Sequence, residues 1–223
     1  MWRVTHDDVE SIAIGAGILG TGGGGNPYLG KIHLQSLMAD GYAPTVINLD
    51  ELADDAVVAE LGSMGAPTVG LEKLPGGEEA RWALEALESY VGKSIDAILC
   101  AEIGGANSIE PLVGGALTGK PVIDADGMGR AFPELQMSTY YMNGVSCVPA
   151  ALVDERNNRI VIGTITDPYA LERYARDLCV LMGCRAELAM PVMTGSQAKQ
   201  WAVGNTLSLA KRLGDAVRRA RGD

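Results

Sequence analysis

The sequence has few of the residues that build metal centres and disulfides. It contains only two histidines and four cysteines, and no two of the cysteines form a C-x-x-C pair. A closed zinc site needs four such ligands, so a Cys/His zinc site is not expected here. Thiols without such pairing are typical of a reducing compartment, and we therefore expect a cytoplasmic protein.

Long apolar runs and basic stretches are also missing. No run approaches the ~20 apolar residues that cross a bilayer, and Asp7, Asp8 and Glu10 interrupt the N-terminus where a signal peptide would be apolar. The 18 Lys and Arg residues are outnumbered by 28 Asp and Glu, which gives a net charge of −10. The arginines near the C-terminus suit the solvated end of a helix, where positive charge meets the helix dipole. We expect neither a membrane nor a nucleic acid as a partner.

What remains is the composition of a compact α/β protein. Hydrophobic residues make up 47% of the chain, aromatic residues only 5%, and 29 residues are glycine. Short apolar runs typical of buried parallel strands alternate with helical patterns. We predict one domain of residues 1–223, a three-layer α/β/α sandwich with a mostly parallel sheet. The predicted strands are Thr45–Leu49, Ala56–Leu61, Ile95–Ala101 and Pro121–Asp124.

Helical periodicity and capping residues place the remaining elements. Thr5 and Asp8 resemble a capping box, and a late β-hairpin is predicted with its turn at Glu155–Asn158, followed by a strand at 185–191. A long C-terminal helix is predicted, with a kink at Gly204. The predicted helices are 6–19, 28–39, 78–91, 107–117, 168–182 and 195–221.

Two glycine motifs lie near the N-terminus. Gly15, Gly17 and Gly20 match G-x-G-x-x-G, which binds a dinucleotide when it follows a strand and opens a helix. Here the motif lies inside a helical pattern, so no nucleotide cofactor is expected and an NAD(P)-dependent oxidoreductase is the weaker alternative. The run Gly22–Gly25 is costly to order. Close backbone packing against another segment or a ligand would explain it, and a flexible surface connector is the alternative.

Three loops follow the carboxyl ends of predicted strands: Gly62–Thr68, Glu102–Ser108 and Asp124–Arg130. Open α/β sheets bind ligands at this edge, so we predict a shared pocket for a small-molecule substrate, with the glycine run as one wall. The predicted substrate-binding residues are Gly22, Gly23, Gly24, Gly25, Asn26, Met64, Gly65, Gly104, Gly105, Asn107 and Arg130.

Four carboxylates reach the same edge and are the candidate catalytic residues: Glu102, Asp124, Asp126 and Glu134. If two of them lie close in a partly dry site, one pKa rises and a general acid stands beside a general base. Chelation of a divalent cation, or a structural role as caps and turn residues, are the alternatives. Arg130 is expected to bind a ligand carboxylate or to neutralise Asp126. Cys100 lies in a predicted buried strand and is expected to be an inert core thiol.

Four segments resemble the N-terminal domain of the S-methyl thiohydantoin desulfurase family. They are AIGAGILGTGGGGNPYLG, GSMGAPTVGLEKLP, EIGGANSIEPL and GKPVIDADGMGRAFPELQMST, and the similarity extends to the final VGNTLSLAKRLGDAVRRAR. Members are often encoded near hydantoinase and oxoprolinase-type genes. The resemblance implies a three-layer α/β/α N-terminal domain. It also implies that a β-rich C-terminal domain of longer members is absent from this chain.

The resemblance implies hydrolytic removal of the sulfur substituent from an S-methylated thiohydantoin. Asp124 or Asp126 would activate the water, and Glu102 or Glu134 would handle protons. We therefore expect a hydrolase of a hydantoin-like five-membered ring. The alternative is a non-catalytic binding or regulatory module that works with hydantoinase or oxoprolinase-type enzymes. The expected assembly is a homodimer or a pairing with a β-rich C-terminal domain or subunit.

Overall fold

The computed structural model describes residues 1–222, with Leu71 described by its backbone alone. Within these residues nine strands form a single sheet. They are β1 (Trp2–Arg3), β2 (Thr45–Ile47), β3 (Val57–Gly65), β4 (Ala97–Cys100), β5 (Val122–Asp126), β6 (Ala150–Val153), β7 (Arg159–Ile162), β8 (Arg185–Thr194) and β9 (Val203–Gly204).

The centre of the sheet is parallel and its flanks are antiparallel. The strand order is β1-β2-β5-β4-β3-β8-β6-β7, and β9 pairs with the end of β5. Strands β2, β5, β4 and β3 run parallel to one another. Strands β1, β8, β6, β7 and β9 each run antiparallel to the neighbours with which they pair. The central strands therefore end together at one edge, as the strand–helix alternation predicts.

Helices cover both faces of this sheet. They are α1 (His6–Gly20), α2 (Tyr28–Ala39), α3 (Val69–Glu72), α4 (Glu79–Val91), α5 (Glu110–Thr118), α6 (Thr139–Met142), α7 (Pro168–Leu181), α8 (Gly195–Trp201) and α9 (Thr206–Arg221). Alternate residues of β4 reach opposite layers. Ile98 joins the core beneath α1, α4, α5 and α9, whereas Ala97 and Leu99 join the core beneath α6 and α8. The predicted three-layer α/β/α fold is confirmed.

Local sequence signals place several elements correctly. Thr5 and Asp8 form the capping box that begins α1, and β6 and β7 pair as the predicted hairpin. Asp167 caps α7 by accepting a hydrogen bond from the N–H of Ala170 at 2.8 Å. Within residues 1–222, no helix is both long enough and apolar enough to span a bilayer.

The long C-terminal helix is present as α9, but it begins at Thr206 rather than at Gly195. Residues 195–201 form the separate helix α8, and β9 follows it. Asn205 then takes a left-handed conformation with φ 63°, and its N–H donates to the carbonyl of Asp124 at 2.7 Å. Pairing of β9 with β5 therefore interrupts a pattern that periodicity alone reads as one helix.

Candidate functional site

A cavity of about 420 Å³ opens at the carboxyl ends of β3 and β4. Its walls are the glycine loop after α1, the end of β3 with the loop that follows it, the loop after β4, and the segment 128–138 after β5. Of the residues predicted from sequence, those that line it are Gly24, Gly25, Asn26, Met64, Gly65, Glu102, Asn107 and Glu134. The glycine loop and the loops after β3, β4 and β5 thus each contribute residues to the wall of one cavity.

Seven predicted residues do not line this cavity: Gly22, Gly23, Gly104, Gly105, Asp124, Asp126 and Arg130. Gly104 and Gly105 have a different task, which is to let the loops pack backbone against backbone. A Cβ on Gly104 would lie 2.5 Å from the N of Ala131, and one on Gly105 would lie 2.4 Å from the carbonyl oxygen of Gly24. A Cβ on Gly23 would meet the Cβ of Ala131 at 3.2 Å, whereas one on Gly22 would meet nothing within 4 Å.

Gly24 explains why the run after α1 is built of glycine. Its φ is +73°, and a Cβ there would lie 2.0 Å from the carbonyl oxygen of Gly104. The N–H of Ala106 donates to the carbonyl oxygen of Gly24 at 2.7 Å. The glycine loop packs directly against the loop after β4, and no L-residue with a side chain fits at Gly24 in this contact. The contact partner of the run is another segment of the chain.

Asp124 anchors helix α9 rather than facing the cavity. It is 2% exposed, and its Oδ1 accepts the N–H of Ser208 at 3.0 Å. Its Oδ2 accepts the hydroxyl of Ser208. A carboxylate at the N-terminus of a helix stabilises the unpaired N–H groups there. The water-activating role that the sequence suggested for Asp124 does not suit this placement.

Asp126 ties two loops together from the end of β5. It is fully buried, and its Oδ2 accepts the N–H groups of Ile103 and Gly129, each at 2.8 Å. Burial raises the pKa of Asp126 to about 7, although these backbone N–H bonds act in the opposite direction. Its donors belong to the loops after β4 and β5, so this carboxyl shapes the cavity wall without reaching the cavity.

Arg130 and Glu134 lie at the periphery. Arg130 is exposed, donates to the hydroxyl of Thr21 at 2.6 Å, and stacks over the ring of Phe132 at 5.9 Å. It forms no ion pair with Asp126 among the residues described. Glu134 is exposed at the rim of the cavity and accepts a hydrogen bond from Gln136. Neither side chain is held in a dry environment.

Glu102 is the predicted carboxylate that the fold both buries and brings to the cavity wall. It is 7% exposed. Its Oε1 accepts the side-chain N–H of Asn107 at 2.8 Å, and its Oε2 accepts the N–H of Phe132 at 2.8 Å. Asn107 is itself held because its Oδ1 accepts the N–H of Ser63 at 2.7 Å. Burial raises the pKa of Glu102, and the two hydrogen bonds only partly offset this rise.

Glu60, in the middle of β3, also lines the cavity, and sequence reasoning missed it. It is 4% exposed, and its Oε1 has no hydrogen-bond partner among the described residues. Burial raises the pKa of Glu60 well above its usual range, and the nearby Asp126 raises it further. A signal was available: a glutamate inside an otherwise apolar buried strand is rare unless it is paired or functional.

The Cys100 side chain is buried in the core. The Cys100 thiol donates to the carbonyl oxygens of Glu102 and Asn107, and burial raises its pKa well above the usual range. It behaves as a core thiol, as predicted. Among residues 1–222, no three His, Cys, Asp or Glu side chains are arranged to hold a metal ion. The alternative of a cation site therefore has no preformed cluster in this part of the chain.

Comparisons with known proteins give two family matches and matches to solved structures. The S-Me-THD-like, N-terminal domain family matches residues 7–164, and the S-Me-THD-like, C-terminal domain family matches residues 166–223. The second match covers α7 to α9, a segment that sequence analysis attributed to the N-terminal domain. A crystal structure of a protein from Chromobacterium violaceum is 28% identical, with a TM-score of 0.84. The similarity covers 99% of this chain and 63% of that one. No curated protein matched.

Proposed function

Because the chain belongs to the S-Me-THD-like family, we propose that it is a hydrolase, or the catalytic part of one, for a hydantoin-like five-membered ring. The cavity at the ends of β3 and β4 is its active site. The observation that carries the proposal is the Glu102 carboxyl, which is buried in the cavity wall and fixed between Asn107 and the N–H of Phe132.

The cavity suits a small ring with a substituent. Its volume of about 420 Å³ lies within the range of roughly 300–1,000 Å³ that is common for small-molecule sites. Apolar side chains such as Leu29, Met64 and Met190 supply much of its lining, and a few polar groups converge among them. This is the usual composition of a pocket that orients a largely neutral ligand.

Glu102 is suited to the role of proton carrier. Burial raises the pKa of Glu102, which makes the carboxylate a stronger base than an ordinary one, and its two hydrogen bonds fix its orientation. Water would attack the ring carbon that carries the S-methyl group, and the C–S bond would then break to release methanethiol. One proton of the water ends on the ring nitrogen and the other on the leaving sulfur, with Glu102 carrying them in turn.

This assignment differs from the one drawn from sequence. Asp124 and Asp126 accept hydrogen bonds from neighbouring segments and do not line the cavity, so they support the fold in the proposed mechanism. Glu134 lines the rim but is exposed to solvent and accepts its hydrogen bond from Gln136, so it is given no role in the proposed mechanism.

The test is release of methanethiol from S-methyl thiohydantoins, followed with a thiol reagent. We expect turnover by the wild-type protein and a loss of about 10²-fold or more in kcat for Glu102→Gln, because that is the usual size of a general-base contribution. Glu88→Gln is the matched control: Glu88 also accepts a backbone N–H, that of Ile95 at 2.7 Å, but it lies on α4 away from the cavity. Glu88→Gln should keep the wild-type rate.

A non-catalytic binding or regulatory module is the competing function. It is favoured if the protein binds hydantoins in calorimetry and releases no methanethiol. Wild-type activity in Glu102→Gln would also contradict the proposed mechanism. Binding of NAD(H) or NADP(H) would instead favour the oxidoreductase alternative. We do not expect it, because the G-x-G-x-x-G motif lies within α1 and does not open a helix after a strand.

A further inference from the structure

The side-chain amide of Asn107 is bound at both of its ends by the main chain of Ser63. Its Oδ1 accepts the N–H of Ser63 at 2.7 Å, and its Nδ2 donates to the carbonyl oxygen of Ser63 at 3.2 Å. A main-chain N–H can only donate, and a carbonyl oxygen can only accept. These two bonds therefore fix which end of the amide is oxygen and which is nitrogen.

The amide takes the place that a neighbouring strand occupies earlier along β3. Strand β4 pairs with β3 as far as Leu61 and Cys100, and Ser63, two residues further on, bonds with Asn107 instead. A Cβ on Gly62 would lie 3.3 Å from Asn107 Oδ1, so the glycine leaves room for the amide. The Cys100 thiol donates to the carbonyl oxygen of Asn107 at 3.1 Å. Residues of β3 and β4 thus hold Asn107, which is 8% exposed.

This orientation leaves one N–H of the amide for Glu102. The bond from Asn107 Nδ2 to Glu102 Oε1 is 2.8 Å, and the N–H of Phe132 donates to Glu102 Oε2 at 2.8 Å. Both partners of the carboxyl are donors, and neither can accept a hydrogen bond from it. Such bonds favour the ionised form and lower the pKa of Glu102, against the burial that raises it.

Other titratable side chains surround Glu102 without binding it. Cys100 of β4 and Asp126 of β5 lie behind the cavity wall, where both bind main-chain groups. Those that line the cavity are Glu60 of β3, Glu110 of α5, Glu134 of the segment after β5, Tyr141 of α6, Arg176 of α7 and Arg185 of β8. Among the described residues none of these groups forms a hydrogen bond or an ion pair with Glu102. Asn107 is therefore the side chain that acts on this carboxyl directly.

We propose that Asn107 is a positioning residue for Glu102. Held by the main chain of Ser63, its amide presents a donor to Glu102 Oε1 and keeps the carboxylate oriented to accept a proton from the attacking water. The role of Glu102 as the base rests on the proposed function, whereas the orientation of the amide does not. Asn107 itself transfers no proton.

Carbon-13 NMR of the glutamate carboxyl groups tests this role without reference to turnover. Asn107→Asp keeps the shape of the side chain and the acceptor for Ser63, but it replaces the N–H that faces Glu102 with a second carboxyl oxygen. Two carboxyl groups in contact compete for one proton, so we expect the titration midpoint of Glu102 to rise by about one pH unit or more. The Glu102 signal is assigned by its loss in Glu102→Gln. An unchanged midpoint in folded Asn107→Asp would overturn the proposal.

Asn158→Asp is the matched control. The Nδ2 of Asn158 donates to Asp154 Oδ2 at 2.7 Å in the turn between β6 and β7, and neither residue lines the cavity. The same change there should raise the pKa of Asp154 and leave the titration midpoint of Glu102 where it is in the wild type. An equal rise for Glu102 in both variants would show an effect of added charge rather than of the bond, and would contradict the role of Asn107.

A second measurement uses the wild-type protein alone. The side-chain amide protons of Asn107 should shift with pH at the same midpoint as the Glu102 carboxyl, because one of them is bonded to that carboxyl. Amide protons of Asn107 that do not respond to the ionisation of Glu102 would overturn the proposal even if Asn107→Asp did not fold.

Methanethiol release separates this role from the proposed function. In Asn107→Asp the acid limb of the kcat/KM profile should move to higher pH by the same amount as the NMR midpoint. A shifted NMR midpoint without turnover by the wild-type protein would keep the role of Asn107 in orienting the carboxylate and remove the hydrolase. Turnover with an unshifted midpoint would keep the hydrolase and remove the role of Asn107.

Discussion

Buried carboxyl groups in this protein differ in what donates hydrogen bonds to them. Asp124 and Asp126 accept main-chain N–H groups from neighbouring segments, and both stabilise the fold. Glu102 accepts one backbone and one side-chain N–H while it faces the cavity. Glu60 has an oxygen with no donor at all. The donors that each carboxyl group binds, and whether it faces the cavity, therefore separate structural carboxyls from candidates for ligand chemistry better than position at a strand end does.

Asp126 predicts a pH dependence of stability. Its pKa is about 7 in the folded protein and close to 3.8 in the unfolded chain. Between these values the folded state holds more protons than the unfolded state, so the free energy of unfolding falls as pH rises from about 4 to about 7. A difference of one bound proton corresponds to a slope of about 1.4 kcal/mol per pH unit.

Urea unfolding at several pH values measures this slope. Glu60 and Glu102 have raised pKa values too, and they act in the same direction. Asp126→Asn should therefore be less stable near pH 4, because it loses an acceptor, and its slope between pH 5 and 7 should be smaller by roughly 1 kcal/mol per unit. An unchanged slope would mean that Asp126 is already ionised in the folded protein.

Sequence reasoning reached some of these residues and not others for identifiable reasons. Strand alternation places Asp124 and Asp126 on the same face of β5, with Ala125 in the opposite core. That alternation does not reveal that Ser208, 84 residues further on, supplies the donors to Asp124. Glu60 was missed because an apolar run was read as core without regard to the single carboxyl inside it.

At the scale of elements, the crossing of α1 and α9 explains the G-x-G-x-x-G motif. A Cβ on Gly15 would lie 1.8 Å from the carbonyl oxygen of Ala210, and one on Gly214 would lie 1.9 Å from the carbonyl oxygen of Ser11. Two helices approach this closely only where side chains are absent at the contact. Gly17, in the same motif, would meet nothing within 4 Å.

Alanine substitutions at the two positions should therefore act in opposite directions. Gly15→Ala is expected to destabilise the protein by about 2 kcal/mol or more, because backbone must move to admit the methyl group. Gly17→Ala should stabilise it by about 0.5–1 kcal/mol, since alanine loses less entropy in a helix. Urea denaturation measures both, and Gly17→Ala serves as the matched control. Similar effects at the two positions would contradict the close contact between α1 and α9 at Gly15.

Elements defined by local signals were predictable, and those defined by pairing were not. The range of α2 agrees with the prediction of 28–39, and the hairpin β6–β7 followed from its turn residues. The two-residue strand β9 carries no periodic signal, so the start of α9 could not be found. The central place of β8, between β3 and β6, depends on long-range pairing that a single sequence does not encode locally.

At the scale of the whole molecule, the two family matches meet within one sheet. Strand β8 belongs to the second match, yet it pairs with β3 and β6 of the first. Helix α9 likewise packs against α1, and its Leu207 and Ala210 belong to the main core. We therefore expect the described residues to unfold as one cooperative unit that spans the boundary between the matches. A homodimer, a pairing with a β-rich domain or subunit, and a cytoplasmic location all stay predictions.

This arrangement predicts that residues 1–164 do not fold alone. Removing the remainder opens the sheet between β3 and β6 and uncovers the core beneath α9, so too little apolar surface is buried. Circular dichroism during urea titration should give no cooperative transition for 1–164 and a cooperative one for 1–223. A sharp transition in the shorter chain would show that the matches are separate folding units.

The central claim is that a hydantoin-like ring binds in the cavity at the ends of β3 and β4. The most direct measurement is a crystal structure of the protein with hydantoin. We predict the ring inside the cavity of about 420 Å³, within hydrogen-bond distance of Glu102. A ring bound only elsewhere, or a cavity without ligand at hydantoin concentrations that saturate the protein in calorimetry, would contradict the account.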